Sequence, residues 1–148
     1  MAKAKDNEKA FISLFNEKVE EITLENQKFF SIKDSRSRRL SSSVDHYFER
    51  EGYQVLIEID SYNMAKVVVG QYQLLNLLRD DSLTNPIFLI VHTYSKYNPE
   101  RTIKYLEYIK DNTFSGRAIP FGVIHLDKFK EWKGGNAQQF IDLFEVNT

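Results

Sequence analysis

The stretch SSSVDHYFEREGYQVLIEID, residues 41–60, decides the fold of this chain. Two runs rich in β-branched and aromatic residues flank Glu51-Gly52, a pattern typical of a β-hairpin. With a two-residue turn, residues whose numbers add up to 103 face each other across the hairpin. The predicted apolar face consists of the pairs Val44–Ile59, His46–Ile57 and Phe48–Val55. One such face, with His46 as its exception, is what a half-buried antiparallel sheet requires.

The opposite face of the predicted hairpin gathers three carboxylates. Asp45 lies opposite Glu58, and Asp60 follows two residues further along. Directly opposed Cβ atoms are ~4.5–5.5 Å apart, and two carboxylates at about 4 Å repel each other by ~4 kcal/mol at an effective dielectric near 20. A divalent cation would offset this repulsion, because hard cations prefer carboxylate oxygens. The alternative is an exposed acidic face whose charges point into water.

Outward from the hairpin, the chain predicts a single α/β domain over residues 1–148, with a mixed sheet flanked by helices. The order of elements is α-β-β-β-α-β-α-β-α, and Asp80-Asp81-Ser82 interrupts the periodic pattern. The predicted helices cover residues 8–24, 64–78, 98–110 and 137–144, and the predicted strands cover 27–32, 41–50, 53–60, 87–91 and 121–126. Residues 34–40 are predicted to be a loop.

The helix after the hairpin carries an amide where an apolar residue is expected. Asn63 is its predicted N-cap. Its apolar stripe is predicted to contain Met64, Val67, Val68, Leu74, Leu75 and Leu78, and Gln71 falls inside it. A buried amide without a partner costs ~1–3 kcal/mol. Gln71 is therefore expected to reach a polar group at the ends of the preceding strands, the alternative being an amide wetted at the edge of the stripe.

Charge is segregated along the chain although the net charge is only −1. Residues 26–40 have a net charge of +4 and residues 41–60 a net charge of −4. The cations that we single out as candidate nucleic-acid contacts are Lys33, Arg36, Arg38 and Arg39. Basic patches can hold phosphates, so a basic block beside an acidic block suits phosphodiester chemistry. The alternative is two solvated surface segments.

Several functional classes are excluded by composition. The chain has no cysteine, which excludes disulfides, thiolate metal sites and a cysteine nucleophile. It has no apolar run of the length of a membrane span and no signal-peptide pattern, so we expect a cytoplasmic protein. No phosphate-binding Gly-rich loop or zinc-protease motif is present. His92 and His125 end apolar strands and are interpreted as core or rim residues.

The acids of the hairpin and the glutamine of the following helix resemble the motif of the PD-(D/E)XK nuclease superfamily. The matching pattern is Val44-Asp45, then Glu58-Ile59-Asp60, then Gln71 in the following helix. The resemblance implies a restriction-endonuclease-like αβββαβ core over about residues 8–93. Asp45 matches the first acid of the motif, Glu58 the second, and Gln71 the glutamine often found on the helix. Val44 replaces the motif proline, and Asp60 replaces the motif lysine.

The resemblance implies a metal-dependent endonuclease that hydrolyses phosphodiester bonds in DNA, with Mg²⁺ or Mn²⁺ as its cofactor. Asp45, Glu58 and Asp60 are then the expected metal ligands, and Lys66 on the next helix takes the place of the missing lysine. Glu17, Glu20 and Glu21 are alternatives for one more ligand. The alternative function is an inactive protein of the same fold that binds nucleic acid or a protein partner. A homodimer or a purely structural subunit is also compatible with the sequence.

Overall fold

The computed structural model of the protein describes residues 3–50, 52–79 and 84–146. Within these ranges a five-stranded mixed sheet is flanked by helices, which confirms the predicted α/β class. The elements are α1 (Lys3–Lys18), β1 (Glu25–Lys33), β2 (Arg39–Arg50), β3 (Tyr53–Asp60), α2 (Ala65–Leu78), β4 (Pro86–His92), α3 (Glu100–Asn112), β5 (Phe121–His125), α4 (Leu126–Glu131) and α5 (Ala137–Asp142). Within these ranges, the short helix α4 and a 3-10 helix at Phe114–Gly116 are absent from the predicted order.

The strands follow the chain order β1-β2-β3-β4-β5 across the sheet. The pairs β1–β2 and β2–β3 are antiparallel, whereas β3–β4 and β4–β5 are parallel. The predicted hairpin register is confirmed by the pairs His46–Ile57 and Phe48–Val55. The predicted pair Val44–Ile59 is wrong, because the ladder ends at His46–Ile57 and the two residues lie in opposite apolar layers. In the turn, Gly52 has a φ of +84°, a conformation that glycine adopts without steric cost, while Glu51 lies outside the described residues.

Two apolar layers cover the sheet. On one face α1, α4 and α5 pack through aromatic side chains, and on the other face α2 and α3 cover the strands. The first layer contains Phe11, Phe15, Phe129 and Phe140, and the second contains Leu56, Tyr72, Leu75 and Leu106. No helix within the described ranges is long and apolar enough to cross a membrane.

The first helix is shorter than predicted. It ends at Lys18 rather than near Leu24, because Val19 forms a parallel bridge with Gly135. Glu21 then takes a φ of 61°, which no α-helix can accommodate. The apolar spacing that continued to residue 22 reflects packing of an extended segment against the same core.

The predicted loop at residues 34–40 is a five-residue turn between β1 and β2. The carboxylate of Asp34 organises it, since one oxygen accepts hydrogen bonds of 2.9 Å from the backbone N–H groups of Arg36 and Arg38. This local side-chain bonding is typical of aspartate in turns. Strand β2 therefore begins at Arg39, two residues earlier than predicted.

The buried face of α2 differs in part from the predicted stripe. Val68, Leu75 and Leu78 are buried as predicted, whereas Met64, Val67 and Leu74 are exposed. Two polar residues take their place, because Tyr72 donates to the backbone oxygen of Ile119 at 2.5 Å and Asn76 accepts from its N–H at 2.7 Å. A buried polar group with a partner costs little, so the helix turns this mixed face inward.

The start of α2 also departs from the prediction. The N-cap position is held by Met64 without a side-chain hydrogen bond. Asn63 instead accepts a hydrogen bond of 2.7 Å from Arg101 at the beginning of α3. This contact ties the two helices together at the end of the sheet where β3 and β4 finish. The predicted break at Asp80-Asp81-Ser82 lies outside the described residues.

Candidate functional site

The centre of the candidate site is the pair Asp45 and Glu58, at the point where β2 and β3 separate. The backbone ladder of the hairpin ends at the pair His46–Ile57. Beyond it, the N–H of Ile59 donates to Asp45 Oδ2 at 2.9 Å, and the N–H of Asp45 donates to Glu58 Oε1 at 3.2 Å. Each carboxylate thus bonds the backbone of the opposite strand, which brings the two acidic side chains together.

Strand β2 changes faces at Asp45. Val44 packs in the apolar layer beneath α2, whereas His46 stacks on Phe11 of α1 with ring centroids 6.4 Å apart. Residues two apart in a regular strand share a face, which is why the sequence predicts one face for Val44 and His46. The structure places the two residues on opposite faces, so that prediction is wrong. The reason is local: Asp45 Oδ2 accepts the hydrogen bond from the N–H of Ile59, so its side chain occupies the gap where the backbone ladder between β2 and β3 ends.

Gln71 closes the site from α2. Its side-chain amide donates to the backbone oxygen of Ser43 at 2.8 Å. The prediction that this amide reaches a polar group of the preceding strands is therefore confirmed. The amide also lowers the pKa of Glu58, against the effects of burial and of Asp45.

Both carboxyl groups of the pair are harder to ionise than ordinary carboxyl groups. Burial, followed by the negative charge of Asp45, raises the pKa of Glu58 to about 8. Burial also raises the pKa of Asp45, although the hydrogen bond from the N–H of Ile59 acts in the opposite direction. At neutral pH and without a cation, Glu58 therefore retains its proton where an ordinary carboxyl group is ionised.

A further carboxylate approaches from α1. Glu8 Oε1 lies 3.0 Å from Nε2 of the buried His46, and the charge of Glu8 contributes to the raised pKa of Asp45. The contact lacks hydrogen-bond geometry, so neither ring nitrogen of His46 has a hydrogen-bond partner among the described residues. Glu8 is not among the site residues predicted from the sequence. The available signal was its position three residues before the buried Phe11, on the face of α1 that meets the sheet.

The other glutamates considered on this segment lie elsewhere. Glu17 is exposed near the last turn of α1, and Glu20 and Glu21 follow the helix and are exposed as well. The first turns of α1 are the part that meets the site, as the hydrogen bond of 3.2 Å from Asn7 to Ser61 shows. The structure therefore places Glu8, and none of these three, beside the acid pair.

Asp60 is held in a different environment from Asp45 and Glu58. Its Oδ2 lies 2.8 Å from Nδ1 of His92, and Nε2 of His92 lies 2.8 Å from Oγ1 of Thr102. The hydroxyl of Tyr97 lies 2.6 Å from the same Oγ1 of Thr102. This order of groups resembles a nucleophile–histidine–acid triad, but Thr102 is 0% exposed. No substrate can reach its hydroxyl, so this row of hydrogen-bonded side chains is a structural link between β3, β4 and α3.

The basic candidates lie apart from the acid pair. Lys66 is exposed in the first turn of α2, and no contact among the described residues ties its amine to Asp45 or Glu58. The basic block, Lys33, Arg36, Arg38 and Arg39, lies at the tip of the β1–β2 hairpin and is exposed. Arg38 Nε pairs with Asp34 Oδ2 at 2.6 Å.

Within the described part of the chain, no group of three or more His, Cys, Asp or Glu side chains is arranged to hold a metal ion. The arrangement provides a close pair of carboxylates, with Glu8 near enough to raise the pKa of Asp45, while Asp60 is bonded to His92. Asp45 and Glu58 both present carboxylate oxygens, which are the ligands that a hard cation such as Mg²⁺ prefers.

No family model, curated protein or solved structure matches this chain. The resemblance to the PD-(D/E)XK superfamily therefore depends on the spacing of Asp45, Glu58 and Gln71 and on the order of the elements.

Proposed function

We propose that this protein is a metal-dependent DNA endonuclease with a restriction-endonuclease-like core. The observation that carries the proposal is the meeting of Asp45 and Glu58 at the end of the β2–β3 ladder, where each bonds the backbone of the other strand. Two partly buried acids whose pKa values are both raised are a costly arrangement for a protein without a ligand, because burial disfavours their charged forms. A divalent cation would displace the proton of Glu58 and balance both charges.

Asp45 and Glu58 are the residues that would hold Mg²⁺ or Mn²⁺. Bound there, the ion would lower the pKa of a coordinated water and so supply the nucleophile for hydrolysis. Asp60 has one oxygen engaged by His92, which leaves the other for a second ion or for the attacking water. Gln71, whose amide lowers the pKa of Glu58, would favour the ionised carboxylate that a cation needs.

The remaining roles follow from charge and position. Hydrolysis adds water to the phosphorus atom and breaks one P–O bond, so negative charge grows on the phosphate. Lys66, exposed at the start of α2, is proposed to stabilise that charge. Arg36, Arg38, Arg39 and Lys33 would hold the DNA backbone without reading its sequence.

The second candidate function is a nucleic-acid-binding or protein-binding module without cleavage activity. The observation in its favour is Asp60, which stands where the superfamily has lysine and is built into the buried chain with His92 and Thr102. The exposed apolar residues of α2, among them Val67, Leu74 and Leu77, would suit a protein partner.

A combined binding and cleavage experiment tests the proposal. Mn²⁺ is expected to raise the melting temperature of the wild type, because a ligand of the folded state stabilises it. Asp45→Asn and Glu58→Gln are each expected to abolish that shift and the nicking of plasmid DNA. Glu17→Gln, which removes an exposed carboxylate remote from the pair, is the matched control and should behave as the wild type. A folded wild type that neither responds to millimolar Mn²⁺ nor nicks duplex or branched DNA would refute the proposal.

A further inference from the structure

The hairpin of β1 and β2 continues past the body of the sheet as a two-stranded ribbon. We call residues 28–33 and 39–44, with the turn 34–38, the ribbon. Strand β2 pairs with β3 only as far as His46, whereas its pairing with β1 continues to Lys33–Arg39. The ribbon therefore has β-sheet neighbours only within itself, and it leaves the sheet at Asp45, the first acid of the candidate site.

The two sides of the ribbon differ in exposure. Phe30 and Val44 are 9% and 1% exposed and pack in the apolar layer beneath α2. On the other side, Phe29 is 61% exposed. Since alternate residues of a strand share a side, α2 supports one side of the ribbon and leaves the other side open to solvent.

Because side chains alternate along a strand, the open side of the ribbon carries a distinctive set of residues. In direct register the cross-strand pairs are Phe29–Ser43, Ser31–Ser41 and Lys33–Arg39. The contact of 3.5 Å between Arg39 Nη2 and Ser31 Oγ fits this common side. The set comprises two cations, three hydroxyl groups and one aromatic ring, and it contains no carboxylate.

The positive charge at the tip is largely uncompensated. Asp34 is the one acid of the turn, and its carboxylate is used by the turn backbone and by Arg38. Among the described residues, Lys33, Arg36 and Arg39 form no ion pair with a carboxylate. Cations and hydroxyls with no competing acid are the groups that contact phosphate and sugar in protein–DNA complexes.

We propose that the open side of the ribbon is a docking surface for the sugar–phosphate backbone of duplex DNA. The choice of DNA rests on the proposed function, and the choice of a duplex rests on the ribbon itself. Proteins that bind single strands stack successive bases on several aromatic side chains, but the open side offers only Phe29. A two-stranded β-ribbon also has the dimensions to enter the major groove.

The length of the ribbon sets the distance between the two contacts with DNA. Arg39 precedes Asp45 by six residues on the same strand, which corresponds to ~20 Å at a rise of about 3.3 Å per residue. Successive base pairs are about 3.4 Å apart along the duplex. The tip therefore holds phosphates about six base pairs from the phosphate at the acid pair.

Fluorescence anisotropy without divalent ions tests the ribbon separately from catalysis. The probes are a 20-base-pair DNA duplex and one of its single strands. The variant Lys33→Ala/Arg36→Ala/Arg39→Ala leaves Arg38 and its bond to Asp34 intact. The control, Lys104→Ala/Lys128→Ala/Lys130→Ala, removes three exposed cations of α3 and α4 and changes the net charge equally.

The wild type is expected to bind the duplex more tightly than the single strand. The ribbon variant should lose at least tenfold in affinity, and its slope of log K against log salt should be shallower by about 0.9 for each lost phosphate contact. The control variant should keep the wild-type slope. Circular dichroism would verify that both variants are folded.

Each other outcome overturns one of the two proposals. Duplex binding that depends on the ribbon, without cleavage by any divalent ion, would leave the ribbon proposal standing and refute the endonuclease. Equal salt slopes for the wild type and the ribbon variant would refute the ribbon proposal, whether or not the protein cuts DNA. Tighter binding to the single strand, or no DNA binding by the wild type, would also refute it.

Discussion

Glu58→Gln is the perturbation that most directly tests the chemistry of the acid pair. The glutamine is neutral at every pH and keeps an oxygen that can accept from the N–H of Asp45, as Glu58 does at 3.2 Å. In the wild type, burial and the charge of Asp45 raise the pKa of Glu58 from 4.5 to about 8. The substitution therefore removes a titration while preserving the shape of the site.

The sign of the pH effect follows from proton binding. Between pH 4.5 and 8 the folded protein keeps a proton on Glu58 that the unfolded chain has released, so the free energy of unfolding falls as pH rises. One pKa unit corresponds to about 1.4 kcal/mol. The shift of Glu58 therefore sets an upper limit of roughly 5 kcal/mol for this loss, and half of that would be readily measured.

Urea denaturation at pH 5, 6, 7 and 8 in the presence of a chelator measures this loss. The fluorescence of Trp132, the only tryptophan of the chain, reports unfolding. Wild type and Glu58→Gln should be similarly stable at pH 5, and the variant should be the more stable at pH 8. Glu17→Gln should follow the wild type. Parallel pH profiles for wild type and Glu58→Gln would show that Glu58 does not carry a raised pKa and would refute the reasoning.

Two further variants test the surroundings of the site. Asp60→Asn leaves a buried His92 without its carboxylate partner, so it should lower the free energy of unfolding by about 1–3 kcal/mol. Urea denaturation measures this change, and an unchanged stability would contradict the structural role of the Asp60–His92 bond. Gly122→Ala places a methyl group 2.6 Å from Cβ of Phe144, so overpacking should cost about 1–3 kcal/mol and lower the melting temperature. A wild-type melting temperature would show that Phe144, which follows α5, is not packed on β5 in this way.

Much of the site geometry was predictable from the residues of one hairpin. A two-residue turn and strict alternation leave a single register, because a shift by one residue would move every apolar side chain to the opposite face. The opposition of Asp45 and Glu58 follows from that register. Gln71 was predictable for a related reason, since an amide within an apolar stripe requires a polar partner.

The parts that sequence reasoning missed depend on contacts between distant segments. Glu8 reaches the acid pair only because α1 packs with Phe11 against His46. Asp60 is bonded by His92, which is 32 residues away on the neighbouring parallel strand. Neither contact has a local signature, because nothing in the spacing of either residue encodes which strand becomes its neighbour.

The α/β class, the hairpin register next to the turn and the concentration of cations around the turn after β1 were predictable from the residues alone, because each depends on periodicity or on residues close in the chain. Long-range contacts set where α1 ends, which face of α2 is buried and where β2 changes faces at Asp45. Those features depend on bonds to Gly135, Ile119 and Ile59 respectively. A helix end or a strand twist is a small local preference, and a single long-range contact is enough to override it.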